Sequence, residues 1–184
     1  MTLLLRLFYE FFTIGLFIIC SFRLNLFTGK VCYVFEGDRS YALNLPVIWL
    51  GNLAGTWLIA QAVRQTRIAG IAERASTIAQ VKLDDSLWSI FILAVLCNML
   101  IFIAVDGFNK NPHELGKYLS LFFGVSVFIL CGFEHCIANM YYFFVAGMWT
   151  WKTLLYILVM TLGNACGGVI IPVLRHSLQK EQPM

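Results

Sequence analysis

The chain has 184 residues, a formal net charge of +3 and a mean hydropathy of +0.79; 60% of its residues are hydrophobic and 12% charged. Soluble domains carry about 25% charged residues, so this composition excludes a water-soluble globular domain and implies one integral membrane domain over residues 1–184. The small, dispersed positive charge gives no nucleic-acid footprint.

The first apolar run, residues 3–22, lacks a basic leader. Arg6 and Glu10 fall inside it and no Ala-x-Ala-like site follows, so it reads as a retained span rather than a signal peptide. Arg23, Asn25, Thr28 and Gly29 then interrupt the pattern, which predicts a break followed by a half-helix at about 31–35. Glu36-Gly37-Asp38-Arg39-Ser40 is a polar turn. A second span is predicted over 43–63, with Pro46 in its first turn, where a missing N–H costs little. Residues 64–85 form the longest polar connection, and their alanines and widely spaced charges allow a short surface helix. Residues 87–105 are long enough to cross a hydrocarbon core of ~30 Å. Asn111-Pro112 marks a loop. Residues 118–148 form a second broken span. Trp149 to Lys152 reads as an interfacial belt, and residues 153–174 form the last span. Basic residues divide evenly between the two sides and set no orientation.

The second break is the chemically unusual stretch. Gly132-Phe133-Glu134-His135-Cys136-Ile137-Ala138-Asn139-Met140 puts a glycine, a glutamate, a histidine and an asparagine in the middle of an apolar run. Ionisable groups at that depth cost roughly 2.5–3.5 kcal/mol on insertion scales for Arg, Lys or Asp, and mark substrate or ion pathways. The chain also repeats itself. Leu50-Gly51-Asn52-Leu53-Ala54-Gly55 follows the first break, and Leu162-Gly163-Asn164-Ala165-Cys166-Gly167 follows the second, with four of six positions identical. Two related halves whose breaks meet near the midplane are a common way to build a transport site. The first half lacks the opening span of the second, which predicts that about one helix is missing from the N-terminus. The six cysteines, Cys20, Cys32, Cys97, Cys131, Cys136 and Cys166, form no C-x-x-C pair and show no metal-ligand spacing. They read as small hydrophobes. No nucleophile–base pair, metal cluster or phosphate loop is evident, so the chain is expected to be neither an enzyme nor a carrier of metal or cofactor.

These motifs resemble the formate/nitrite transporter family. Gly132-Phe133-Glu134-His135 with Ile137-Ala138-Asn139-Met140 is similar to that family's signature, and Leu26-Phe27-Thr28-Gly29 resembles the end of its first-break signature. Ala94-Val95-Leu96-Cys97-Asn98 with Ala104 resembles a third signature. The family usually carries Gly-Ala-Asp or Gly-Ala-Glu before Leu-Phe-Thr, whereas this chain has Arg23-Leu24-Asn25. The resemblance implies an all-α, aquaporin-like bundle of inverted repeats with two broken helices, assembled as a pentamer in the plasma or inner membrane with its C-terminus in the cytoplasm. It also implies passage of small monovalent weak-acid anions such as formate or nitrite, with or without a linked proton.

On that resemblance, His135 is the central pathway residue and Thr28 its hydroxyl partner. A neutral imidazole can donate one hydrogen bond to an anion, and a protonated one can hand over a proton. Asn98 and Asn164 match polar positions near the family pore. Lys82, sixteen residues before Asn98, matches its vestibule lysine and would raise local anion concentration at the mouth. Gly132, Glu134 and Asn139 are structural at the break, Glu134 as an acceptor for loop N–H groups and Asn139 as a cap of the half-helix. Apolar gates are expected on both sides of the site: Phe12, Leu16 and Phe128 for one, Leu26 and Phe27 for the other. Arg23 pairs with Glu10 or Glu36, or else adds an anion attractor. Two other readings compete. A neutral-solute channel would need Asn-Pro-Ala at the breaks, which neither has. A non-conducting truncated member is suggested by the absent first helix and by Arg23-Leu24-Asn25.

Overall fold

A computed structural model describes residues 15–181, with side chains to residue 178; Phe12 and the first part of the opening span lie outside it. The described residues are helical throughout, without strands. Helix α1 (residues 15–21) is followed by α2 (Phe27–Val31), α3 (Arg39–Arg64), α4 (Ile71–Asp84), α5 (Leu87–Lys110), α6 (Glu114–Leu130), α7 (Cys136–Ala146) and α8 (Trp151–Glu181). Among the described residues three stretches are long and apolar enough to cross a membrane: Arg39–Arg64, Leu87–Lys110 and Trp151–Leu178. Helix α5 is the central post. It packs against α8 on one side and α6 on the other. One apolar core joins Phe27 and Val31 of α2 to Ile90, Met140, Phe143, Ile157 and Met160; a second joins Leu16 to Ile101, Leu121, Val125 and Phe128. Helix α3 leaves Leu43, Val47, Leu50 and Trp57 exposed.

Helix starts follow local chemistry. Asp38 caps α3 by accepting from the Tyr41 N–H at 2.8 Å, and Ser86 caps α5 by accepting from the Ser89 N–H at 3.1 Å. The Tyr41 N–H and then the Ser40 hydroxyl hold the exposed Asp38 carboxyl below the usual carboxylate range. This cap starts α3 at Arg39, so Pro46 lies inside the helix rather than in its first turn. The half-helix also differs from its expected place. It runs over Phe27–Val31, not 31–35, because Thr28, Gly29 and Lys30 are helical and the break is confined to residues 22–26. Helix α5 continues past Val105 to Lys110 because its polar end is paired. Asp106 takes the Lys110 ammonium at 2.7 Å, the Arg175 guanidinium at 2.9 Å and the Tyr33 hydroxyl at 3.2 Å.

The two breaks share one backbone design. At the end of α6 the Phe133 N–H donates to the Phe128 carbonyl (3.0 Å) and the Gly132 N–H to the Ile129 carbonyl (3.1 Å), a Schellman cap with Gly132 at φ +68°. At the end of α1 the Leu24 N–H donates to the Ile19 carbonyl (2.8 Å) and the Arg23 N–H to the Cys20 carbonyl (3.3 Å), with Arg23 at φ +53°. Arg23 thus occupies the left-handed position that glycine fills at the second break, at a cost of about 1–2 kcal/mol for a residue with a Cβ.

The repeated glycines do not act alike. Helix α8 lies so close to α5 that a Cβ at Gly163 would stand 2.6 Å from the Phe91 carbonyl oxygen, and one at Gly167 would overlap the Val95 carbonyl. Gly51 and Gly55 of α3 would meet nothing within 4 Å. Of the repeated glycines, those of the second half therefore permit close helix approach and those of the first do not. Gly167→Leu is expected to destabilise the fold by about 1–3 kcal/mol through overpacking, and Gly51→Leu to stay within about 0.5 kcal/mol, as read by unfolding in mixed detergent micelles.

Candidate functional site

Each break is held by an asparagine from the repeated motif. Asn52 Oδ1 accepts from the Phe27 N–H at 2.9 Å, the first N–H of α2, while its Nδ2 donates to the Asn25 carbonyl at 3.0 Å. Asn164 Oδ1 accepts from the Cys136 N–H at 2.9 Å, the first N–H of α7, while its Nδ2 donates to the Glu134 carbonyl at 2.8 Å. The two asparagines do the same work at equivalent positions. A break inside a membrane leaves backbone groups that lipid cannot satisfy, and the amide supplies a donor and an acceptor from a neighbouring helix. Asn164 also donates to the Ala94 carbonyl at 2.8 Å, so its amide is wholly committed to backbone. Asn98 Nδ2 donates to the carbonyls of Thr28 (3.0 Å) and Asn164 (2.7 Å), tying α5 to both halves. Sequence reading passed over Asn52, although its partner in the repeat, Asn164, was a candidate; the repeat itself was the signal.

These braces set the backbone that brings Thr28 and His135 together. His135 is the residue before α7, and its Nδ1 accepts from the Ala138 N–H at 3.2 Å. That bond uses the Nδ1 lone pair, so the neutral ring carries its proton on Nε2 and donates it to Thr28 Oγ1 at 2.9 Å. The histidine is cap and site residue at once. Phe128 stacks on its ring at 5.9 Å between centroids. Both His135 and Thr28 are buried.

Three cavities lie in series around this pair. The central one, about 320 Å³, is almost entirely apolar and is lined by Leu16, Leu26, Ile101, Phe128 and His135. It shares Phe128, His135, Ala138 and Tyr142 with a cavity of about 180 Å³ that contains Lys82. It shares Leu16, Ile19 and Leu26 with a cavity of about 420 Å³ on the other side, which contains Arg23 and Lys30. The expected gate residues are therefore grouped differently: Leu16 sits with Leu26 at one junction, and Phe128 stands at the other. Phe27 lines none of these cavities and packs in the main core instead. Thr28, Asn98 and Asn164 line none either.

Glu134 also differs from expectation, and Lys82 is its partner. Lys82 is on α4, which packs against α7, and its Nζ lies 2.8 and 2.7 Å from the two Glu134 carboxylate oxygens. The Glu134 carboxylate takes this ammonium and the Asn139 amide (2.7 Å), not loop N–H groups. Asn139 accordingly does not cap α7; it sits one turn in and holds Glu134. Gly132 supplies the left-handed turn before them.

The formate/nitrite transporter family model matches residues 4–177. The chain belongs to the formate/nitrite transporter family. A probable formate transporter of Methanothermobacter thermautotrophicus is 30% identical over 193 residues, covering 86% of this chain and 69% of that protein. An uncharacterised transporter of Bacillus subtilis is 28% identical over 174 residues, covering 86% of this chain; the chain spans 65% of that relative, just under two thirds. The fold is that of a solved pentameric formate channel with formate bound, with a TM-score of 0.74 at 24% identity, over 92% of this chain and 80% of that one. These relatives are transporters and channels, not enzymes.

In this family member the Lys82–Glu134 pair is nearly out of reach of water, with side-chain exposures of 14% and 4%. Removing one partner strands the other, so Lys82→Met is expected to cost about 3–5 kcal/mol, and the double variant Lys82→Met/Glu134→Gln to regain much of it. Thermal unfolding in detergent of the two single variants, the double variant and the parent checks this.

Proposed function

We propose that this chain is a membrane channel for small monovalent weak-acid anions, formate or nitrite in class, that pass His135. The observation that carries the reading is His135, the residue that caps α7, at the seam of two cavities with its Nε2–H on the buried Thr28 hydroxyl behind it. The N-terminus of α7 adds partial positive charge at that point. An apolar cavity is a costly place for a bare carboxylate. An anion that accepts the Nε2–H in place of Thr28 Oγ1 regains one hydrogen bond there. A proton added at Nδ1 would face the Ala138 N–H, so handing a proton to the anion requires the ring to turn from its capping position. The nearly uniform apolar lining favours passage of the neutral acid through the gates at Leu16/Leu26 and Phe128. The reading includes assembly as a homopentamer in the plasma or inner membrane with the C-terminus in the cytoplasm; the exposed apolar face of α3 suits contact with lipid.

Formate uptake by proteoliposomes tests the reading. Uptake is expected to rise as external pH falls. His135→Phe is expected to lower it about a hundredfold, the scale of losing one preorganised donor. Folded parent protein that shows no formate or nitrite flux at any pH contradicts the proposal. Glycerol flux without anion flux would then favour a neutral-solute channel, and no flux at all a non-conducting member.

A further inference from the structure

The two outer cavities differ in charge. The one beside Glu134 contains a lysine already neutralised by that carboxylate. The other, about 420 Å³, is lined by Arg23, Lys30, Tyr33, Tyr41 and Asn109 among apolar residues, and among the described residues no acid lines it. Among the described residues neither Arg23 nor Lys30 makes an ion pair. Two described acids nearby are committed elsewhere. Asp106, behind Tyr33, is held by Lys110 and Arg175, and Asp38 caps α3. Glu36 lies on the turn before α3 and lines no cavity.

Arg23 also sits in the left-handed cap position that glycine takes at Gly132 and Gly147. A strained backbone that keeps a charged side chain at a cavity wall points to a use for that side chain. We propose that Arg23, with Lys30, forms an anion-collecting and anion-sorting mouth on the side away from Lys82. Its ligand is a planar anion with two oxygens, a carboxylate or nitrite, because a guanidinium fork meets both oxygens at once while an ammonium acts as a point charge. The mouth supplies the central cavity through the Leu16/Leu26 junction. This deepens the anion-channel reading and rests on it for the direction of travel; the binding step stands separately.

The test measures binding and flux on the full chain. Line broadening of ¹³C-formate is recorded with the protein in nanodiscs at low salt, for the parent, Arg23→Gln, Arg23→Gly, Arg23→Lys and Lys30→Gln, with Arg67→Gln as a surface control. Arg23→Gly relieves the backbone strain and guards against a folding artefact. Arg23→Gln and Arg23→Gly are expected to raise the half-saturating formate concentration about fivefold, within the range of electrostatic focusing. The difference should fade once salt shortens screening to a few ångström. Arg23→Lys is expected to keep the attraction and lose the preference for formate over chloride. Lys30→Gln should weaken binding less, and Arg67→Gln not at all. Unchanged broadening in both Arg23→Gln and Arg23→Gly overturns the mouth, even if the parent carries formate in proteoliposomes. Arg23-dependent broadening in a parent that carries no formate upholds the mouth and overturns the channel reading.

Discussion

A helix that stops inside a bilayer must find partners for the backbone groups it exposes, because lipid offers none. In this chain that constraint is met twice in the same way. The amide of Asn52 closes the first break and the amide of Asn164 closes the second, each accepting from the first N–H of the following helix and donating to a carbonyl two residues before it. The internal repeat is therefore more than likeness of sequence. It is one bracing device used in both halves, with Asn98 of α5 reaching the backbone of each.

The site follows from those braces. Fixing Phe27 fixes Thr28, the next residue. Fixing Cys136 fixes His135, the residue before. The contact between Thr28 and His135 spans 107 residues of sequence, yet each side is set by an asparagine within 28 residues. The imidazole then has its tautomer chosen by the α7 cap rather than by the cavity. The Lys82–Glu134–Asn139 chain secures the same break from the α4 side. Charge at this depth is tolerated only because each carboxylate oxygen has a partner.

Much of this was legible in the residues and some was not. The apolar runs marked where the long helices α3, α5 and α8 lie, and the Gly-Phe-Glu-His motif marked the second break before any geometry. The half-helix was misplaced because Thr28, Gly29 and Lys30 look like a loop, while the group that starts the helix, Asn52, is 25 residues downstream. The end of α5 was cut short because Asp106 is stabilised by Arg175, 69 residues away. The partner of Lys82 was not legible because nothing local shows that α4 folds against α7 and delivers it to Glu134. Local pattern reveals periodicity and breaks. It cannot reveal which distant side chain satisfies them.

The central claim is that the asparagine amides stand in for the missing backbone partners at the two breaks. Amide hydrogen exchange at Phe27 and Cys136, read by NMR in nanodiscs, tests it most directly. The account predicts that both amides are protected in the parent, that Asn164→Ala releases Cys136 while leaving Phe27 protected, and that Asn52→Ala does the reverse. Protection at Cys136 that is unchanged in a folded Asn164→Ala variant would contradict it.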